Sequence, residues 1–203
     1  MGRSVTNVVK KILSLVLAAA LNAFTPAIAE TVLQITFRDY GSVTVELWPE
    51  TAPLACESVS RAATLGKYDG RRIERLEPGY VLQPLFFDGD DPVLDALLPL
   101  EINEQIAFER GVVGMTGVDG KASAGQFFIT LGDAKKLNGR FTAIGRVTDG
   151  WETIEAIEKT QVAEGQLEED GEVYQYHYPA SDIIVENVAV RVTESFEANG
   201  YDR

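Results

Sequence analysis

Apolar and polar residues alternate along most of this chain with a period of two, in short stretches bounded by turn residues. Val32–Phe37 reads as a strand, Asp39-Tyr40-Gly41 as a turn, and Ser42–Leu47 as the returning strand with Val43, Val45 and Leu47 on one face, which together predict a hairpin. The period then changes. Cys56, Val59 and Ala63 fall on one face of a helix, with Thr51 as the expected N-cap, Pro53 in the first turn and Gly66 as the stop. Further short strands are predicted at 72–76, 80–83, 98–102, 111–116, 126–131, 142–147 and 183–192. A second short helix is predicted at Glu152–Lys159, with Ile154 and Ile157 inward. Many short strands between Gly-rich turns indicate a sandwich or a barrel, and two helices suffice to plug the open ends of a barrel. No repeat and no domain-scale linker interrupts the pattern.

Two segments stand outside it. Residues 86–92 form a turn-rich stretch containing Asp88-Gly89-Asp90-Asp91. Its carboxylates lack the alternating spacing and distal Glu of a calcium loop, so it reads as a solvated turn. Residues 161–182 carry Glu164, Glu168, Glu169, Asp170 and Glu172 and read as an acidic insertion loop. The tail 197–203 is expected to be loose.

The N-terminal stretch changes the picture. Arg3, Lys10 and Lys11 precede an apolar run from Ile12 to Phe24, and Ala27-Ile28-Ala29 offers a small-x-small cleavage site before Glu30. This is the layout of a secretory signal peptide over 1–29, leaving a domain at 30–203 in the periplasm or another exported location. The run is shorter than the roughly 20 residues of a membrane span, so no stable span is expected after processing. The formal net charge is −13 and becomes −16 without those three basic residues, a surface that repels nucleic acid. A single cysteine, Cys56, excludes an internal disulfide and reads as a small buried hydrophobe. One histidine, His177, and one cysteine in separate segments speak against a zinc cluster and a His-based triad. No metal and no cofactor is expected.

Gln126-Phe127-Phe128-Ile129 carries the candidate chemistry. Strand alternation sends Phe127, Ile129 and Leu131 to one apolar face, which reads as core. It sends Gln126, Phe128 and Thr130 to the other. A large aromatic between a Gln and a Thr reads as the floor of a binding site. Upstream lie Arg75, then Pro78-Gly79-Tyr80, then Gln83. Between and beyond are Tyr68-Asp69-Gly70, Leu100-Glu101-Ile102, Arg110-Gly111-Val112-Val113-Gly114-Met115 and Leu137-Asn138-Gly139-Arg140-Phe141-Thr142-Ala143-Ile144-Gly145-Arg146-Val147.

In this order the motifs resemble the cyclophilins, the peptidyl-prolyl cis–trans isomerases, over roughly 32–159 with a final strand at 183–192. The resemblance implies a closed eight-stranded antiparallel β-barrel capped by two α-helices, a monomer, and proline-containing polypeptides (unfolded or exported proteins) as partners. It implies that Arg75 is the catalytic donor and that Gln83 orients it. Phe128 would floor the proline pocket, with Val81, Leu137 and Phe141 as walls and Tyr80 beside them. Thr116, Gly117, Val118 and Gln126 would hold the substrate backbone. The chain departs from the family pattern at Glu74, where His is frequent, at Pro84-Leu85 in place of Gly-Gly, at Gly117 in place of Asn, and at Lys136 in place of the Trp associated with cyclosporin binding. A weakly catalytic or non-catalytic proline-peptide binding module or holdase is the other reading these departures leave open.

Overall fold

The computed structural model describes residues 28–84, 91–169 and 171–195. The chain divides into two units. Residues 31–192 carry everything discussed below; in the second, 1–30 with 193–203, the described residues are the outer ends of two strands. The expected signal segment lies outside the described residues up to 27, as do the Asp88-Gly89-Asp90 turn and the tail 197–203.

The predicted hairpin forms as β1 (Ile28–Phe37) and β2 (Gly41–Leu47), in the register Leu33↔Val45 and Ile35↔Val43. These four side chains are all buried, which fixes the register, because a slip of one residue would turn the set toward solvent. Helix α1 (Pro53–Thr64) buries Ala55, Cys56, Val59, Ala62 and Ala63. Cys56 is a core residue as expected, its thiol donating to the Ile144 carbonyl at 3.4 Å and pushed up to about 12 chiefly by burial.

Thr51 is not the N-cap of α1. The cap position is Ala52, which offers no side-chain acceptor. The exposed N–H groups of the first turn are taken instead by a distant carboxylate: Glu101 Oε1 accepts from Leu54 N at 3.1 Å and Oε2 from Ala55 N at 2.9 Å. The helix dipole favours an anion there. The strand expected at 98–102 is correspondingly short, β5 (Leu97–Pro99), because Glu101 leaves the sheet to serve the helix, its own N–H given to Thr142 Oγ1.

The remaining strands are β3 (Arg75–Glu77), β4 (Val81–Gln83), β6 (Val112–Val118), β7 (Lys121–Thr130), β8 (Ala143–Asp149) and, after α2 (Trp151–Glu158), β9 (Val162–Glu169), β10 (Glu172–Pro179) and β11 (Val185–Ser195). Among the described residues, nine strands make one antiparallel, curled sheet in the order β11-β1-β2-β8-β6-β7-β4-β3, with β5 pairing the first half of β7. The ladders do not make the closed eight-stranded barrel expected. The end strands β3 and β11 are not ladder partners. Their lead-in segments meet through a single bridge, Arg72↔Ile184, with Ile73 N–H given to Ile183 and Val185 N–H to Arg71. The pairing does not run on, because the chain along β3 meets β10 instead.

That contact corrects the second expectation. Residues 161–182 are not a loop but a hairpin, β9–β10, with eight residues in each strand and turning at Gly171 with φ 79°. Its acidic residues masked a period-two aromatic pattern, Tyr174, Tyr176 and Tyr178, of the kind that favours strands.

Candidate active site

The site is built on β3, β4, β6 and β7. Cα pairing sets Arg75 opposite Gln83 and Leu76 opposite Leu82. Directly opposed residues share a face, so Leu76 and Leu82 enter the core while Arg75 and Gln83 come together on the other side. The turn joining the two strands is held from α2: Glu158 Oε1 accepts from Gly79 N at 2.8 Å, and Glu158 Oε2 pairs with Arg110 at 3.1 Å. The guanidinium of Arg110 in turn lies 5.5 Å from the Trp151 ring centroid. Gly79 has φ 73°, which a residue without Cβ adopts freely.

The floor is aromatic. Phe127 and Ile129 lie in the main core, as the alternation predicts. Phe128 lies in a second cluster with Val81, Phe108, Val112, Ala134, Leu137 and Ala143, against which Tyr80 and Phe141 pack. It is not outward: it is 4% exposed. Its ring sits 5.7 Å from Phe141 in an edge-to-face arrangement and 5.7 Å from Phe108. Gly114, its ladder partner, makes the room, since a Cβ there would stand 2.5 Å from Phe128 Cζ. Leu137 arrives on a 3-10 turn, Lys135–Leu137, and the following Asn138 side chain accepts from Phe108 N at 2.9 Å.

One cavity of about 1240 Å³ gathers Arg75, Gln83, Tyr80, Val81, Thr116, Gly117, Val118, Phe128, Leu137 and Phe141. Of the eleven candidate catalytic and substrate-binding residues named from the sequence, Gln126 alone does not line it. Gln126 is 1% exposed and its amide donates to Asp95 Oδ1 at 2.8 Å. Gly117 has a local reason to be glycine: a Cβ would stand 2.0 Å from the Lys121 carbonyl, where a bulge shifts the β6–β7 register. Lys136 is exposed and does not line the cavity. Glu74, at the rim, pairs with Arg72 at 3.6 Å.

Arg75 is anchored through Nε, 3.3 Å from Glu77 Oε1, which leaves its two terminal nitrogens as donors without a partner among the described residues. Glu77 is held from the other side by the hairpin: His177 N donates to Oε1 at 3.1 Å and His177 Nδ1 lies 2.7 Å from Oε2. Burial alone would push the Glu77 carboxyl up, but the hydrogen bonds from His177 and the charge and hydrogen bond of Arg75 outweigh it and hold the group below the usual carboxylate range. The hairpin also lines the cavity, with Gly165, Gln166, Leu167, Glu168, Tyr176, Tyr178 and Pro179. These residues were missed in the sequence. The signal that could have found them was the alternating Tyr174, Tyr176 and Tyr178.

Residues 32–186 match the family model described as cyclophilin type peptidyl-prolyl cis-trans isomerase/CLD. The chain is 33% identical over 138 residues to a probable peptidyl-prolyl cis-trans isomerase of Brucella suis, covering 61% of this chain and 70% of the relative. It is 32% identical over 139 residues to the peptidylprolyl isomerase cyp7 of Schizosaccharomyces pombe, covering 64% of this chain and only 28% of the relative. A peptidyl-prolyl isomerase of Mycosarcoma maydis is likewise matched over only 27% of its length. Among solved structures, a cyclophilin type isomerase of Cryptosporidium parvum superposes with a TM-score of 0.67 at 21% identity, covering 80% of this chain and 98% of that one. A second crystal structure of that protein was determined in the presence of the dipeptide Ala-Pro.

Proposed function

The chain belongs to the cyclophilin-type peptidyl-prolyl cis–trans isomerase family, and on that premise we propose that it catalyses rotation about X–Pro bonds in exported polypeptides. The observation that carries this reading is the placement of Arg75 opposite Gln83 in one cavity with Phe128, Leu137 and Phe141.

An X–Pro bond rotates over a barrier of roughly 18–20 kcal/mol because rotation destroys amide resonance. Uncatalysed exchange takes on the order of tens of seconds or longer. No bond breaks, so the reaction requires neither a nucleophile nor a cofactor. A catalyst must hold the twisted amide more tightly than either planar form. In the twisted state the proline nitrogen regains a lone pair, and a guanidinium placed to donate to it favours that state. Arg75 supplies the donor. Its permanent charge and planar fork let Nε bind Glu77 while the terminal nitrogens face their own task, which a lysine cannot do. Gln83 orients the guanidinium and the client backbone. The Phe128, Leu137 and Phe141 surface seats the proline ring, and the strand segment Thr116–Val118 lies beside it for the residues that precede proline.

The exported setting rests on the basic start, apolar run and Ala27-Ile28-Ala29 of the sequence. N-terminal sequencing of protein recovered outside the cytoplasm is expected to begin near Glu30; an intact Met1 on a soluble cytosolic product would contradict it. For the reaction, exchange NMR on a proline peptide is the test: cross-peaks between cis and trans forms should appear at catalytic protein concentrations. Binding without acceleration would make the chain a proline-peptide binding module instead.

A further inference from the structure

We propose that the β9–β10 hairpin is the specificity wall of the site, with Tyr176 and Tyr178 gripping a large apolar or aromatic client side chain beside the proline. The inference rests on the isomerase reading above and adds to it which clients are preferred.

The hairpin is a separate two-stranded sheet, so it forms no part of the ladder that builds the catalytic face. It is nevertheless fastened to that face. His177 on β10 holds Glu77 on β3 by both backbone and ring, and Glu77 holds Arg75. The same strand therefore presents tyrosines to the cavity and anchors the residue that anchors the catalytic donor.

The cavity is larger than proline needs. Pockets that take whole drug-sized ligands run from about 300 to 1,000 Å³, and this one is about 1240 Å³. The proline ring occupies the part floored by Phe128, Leu137 and Phe141. Tyr176 and Tyr178 stand outside the cluster around Phe128 and line the remainder with Leu167 and Pro179. Residues two apart on a strand share a face, and the two rings lie 6.1 Å apart and tilted by 46°. Tyr176 is set by the residue opposite: it pairs with Gly165, where a Cβ would stand 2.6 Å from the ring. Leu167 and Tyr178 remain 44% and 38% exposed among the described residues, an apolar surface on the same cavity as the candidate proline pocket. Tyrosine offers a broad apolar face with little conformational freedom to lose, which suits a recognition surface.

The test is a set of blocked proline peptides in which Ala, Phe, Lys or Glu is placed in turn at each position flanking the proline. Affinity is read by titration calorimetry and isomerisation by exchange NMR. Wild type is expected to bind one of the Phe peptides about tenfold more tightly than the Ala peptide, the scale of an added aromatic contact. The double variant Tyr176→Ala/Tyr178→Ala is expected to bring that ratio close to one. Gly165→Val, which displaces the Tyr176 ring without removing it, should lower the ratio as well, with the fold of each variant checked by amide NMR spectra. Equal affinity of wild type for the Phe and Ala peptides would overturn the proposal, as would a preference for Lys over Phe or a Phe preference that survives in the double variant. A wild type that neither binds nor isomerises any peptide would instead remove the isomerase reading, and this inference with it.

Discussion

Replacing Glu101 with alanine removes both acceptors of the first turn of α1, since Ala52 at the cap position provides none. The expected cost is about 1–2 kcal/mol, the scale of a lost helix cap. It should appear in urea denaturation as a lower midpoint with an unchanged slope. Phe128→Ala acts differently. The ring is nearly fully buried among Phe108, Phe141 and Gly114, so its removal should cost about 3–5 kcal/mol of stability and weaken proline-peptide binding together. A thermal melt and calorimetry on one sample separate the two effects. Gly117→Asn restores a residue frequent in the family, yet the Lys121 carbonyl leaves no room for a Cβ. It should lower stability and not raise turnover. Cyclosporin should bind weakly, because the position expected to carry an indole is the exposed Lys136, which offers no large apolar face. Tight binding by calorimetry would contradict this.

At the scale of elements, the Arg75–Glu77–His177 chain ties β3 to β10 and gives the hairpin a pH dependence. The Glu77 carboxyl is held below its ordinary value, so its ionised form is the one that folding stabilises. That contribution is fully present above the unfolded glutamate pKa of about 4.3. It is lost as pH falls through the lower folded value. Exchange of the His177 amide, which donates to Glu77, should therefore be protected at neutral pH and quicken relative to core amides on acidification. Glu77→Gln should flatten that acid limb; an unchanged profile in Glu77→Gln would mean that the docking does not depend on this charge. The elements also mark where sequence patterns sufficed. Alternation alone placed Phe127 and Ile129 in the core and paired β1 with β2, because one-sided burial imposes a period of two. It did not reveal that Glu101 caps α1, since that contact spans 46 residues or more along the chain and depends on where the sheet puts a side chain. The hairpin was hidden for another reason. Its acidic residues read as solvated, while the tyrosines that make it a strand alternate with them at a period the charge obscured.

For the whole molecule, the motif order pointed to a mainly antiparallel β fold with two helices but not to the open, curled form of its sheet, and ten of the eleven candidate site residues line one cavity. Gln126 escaped because alternation assigns a face, not a depth: it lies on the Phe128 side of β7 yet is buried against Asp95. Arg75 is the residue that the sheet, the turn held by Glu158 and the hairpin all position. The most direct measurement is cis–trans exchange by NMR on a proline peptide with wild type and with folded Arg75→Ala. The loss of one charged donor to the twisted amide should slow catalysis by about two to three powers of ten, by analogy with an oxyanion-hole donor. The melting temperature should move little, since the side chain is about a third exposed and Glu77 keeps its two contacts with His177 when Arg75 is removed. Arg75→Lys should recover little of the rate, because an ammonium cannot hold Glu77 and the amide at once. Unchanged exchange in a folded Arg75→Ala protein would show that this guanidinium does not stabilise the twisted X–Pro bond.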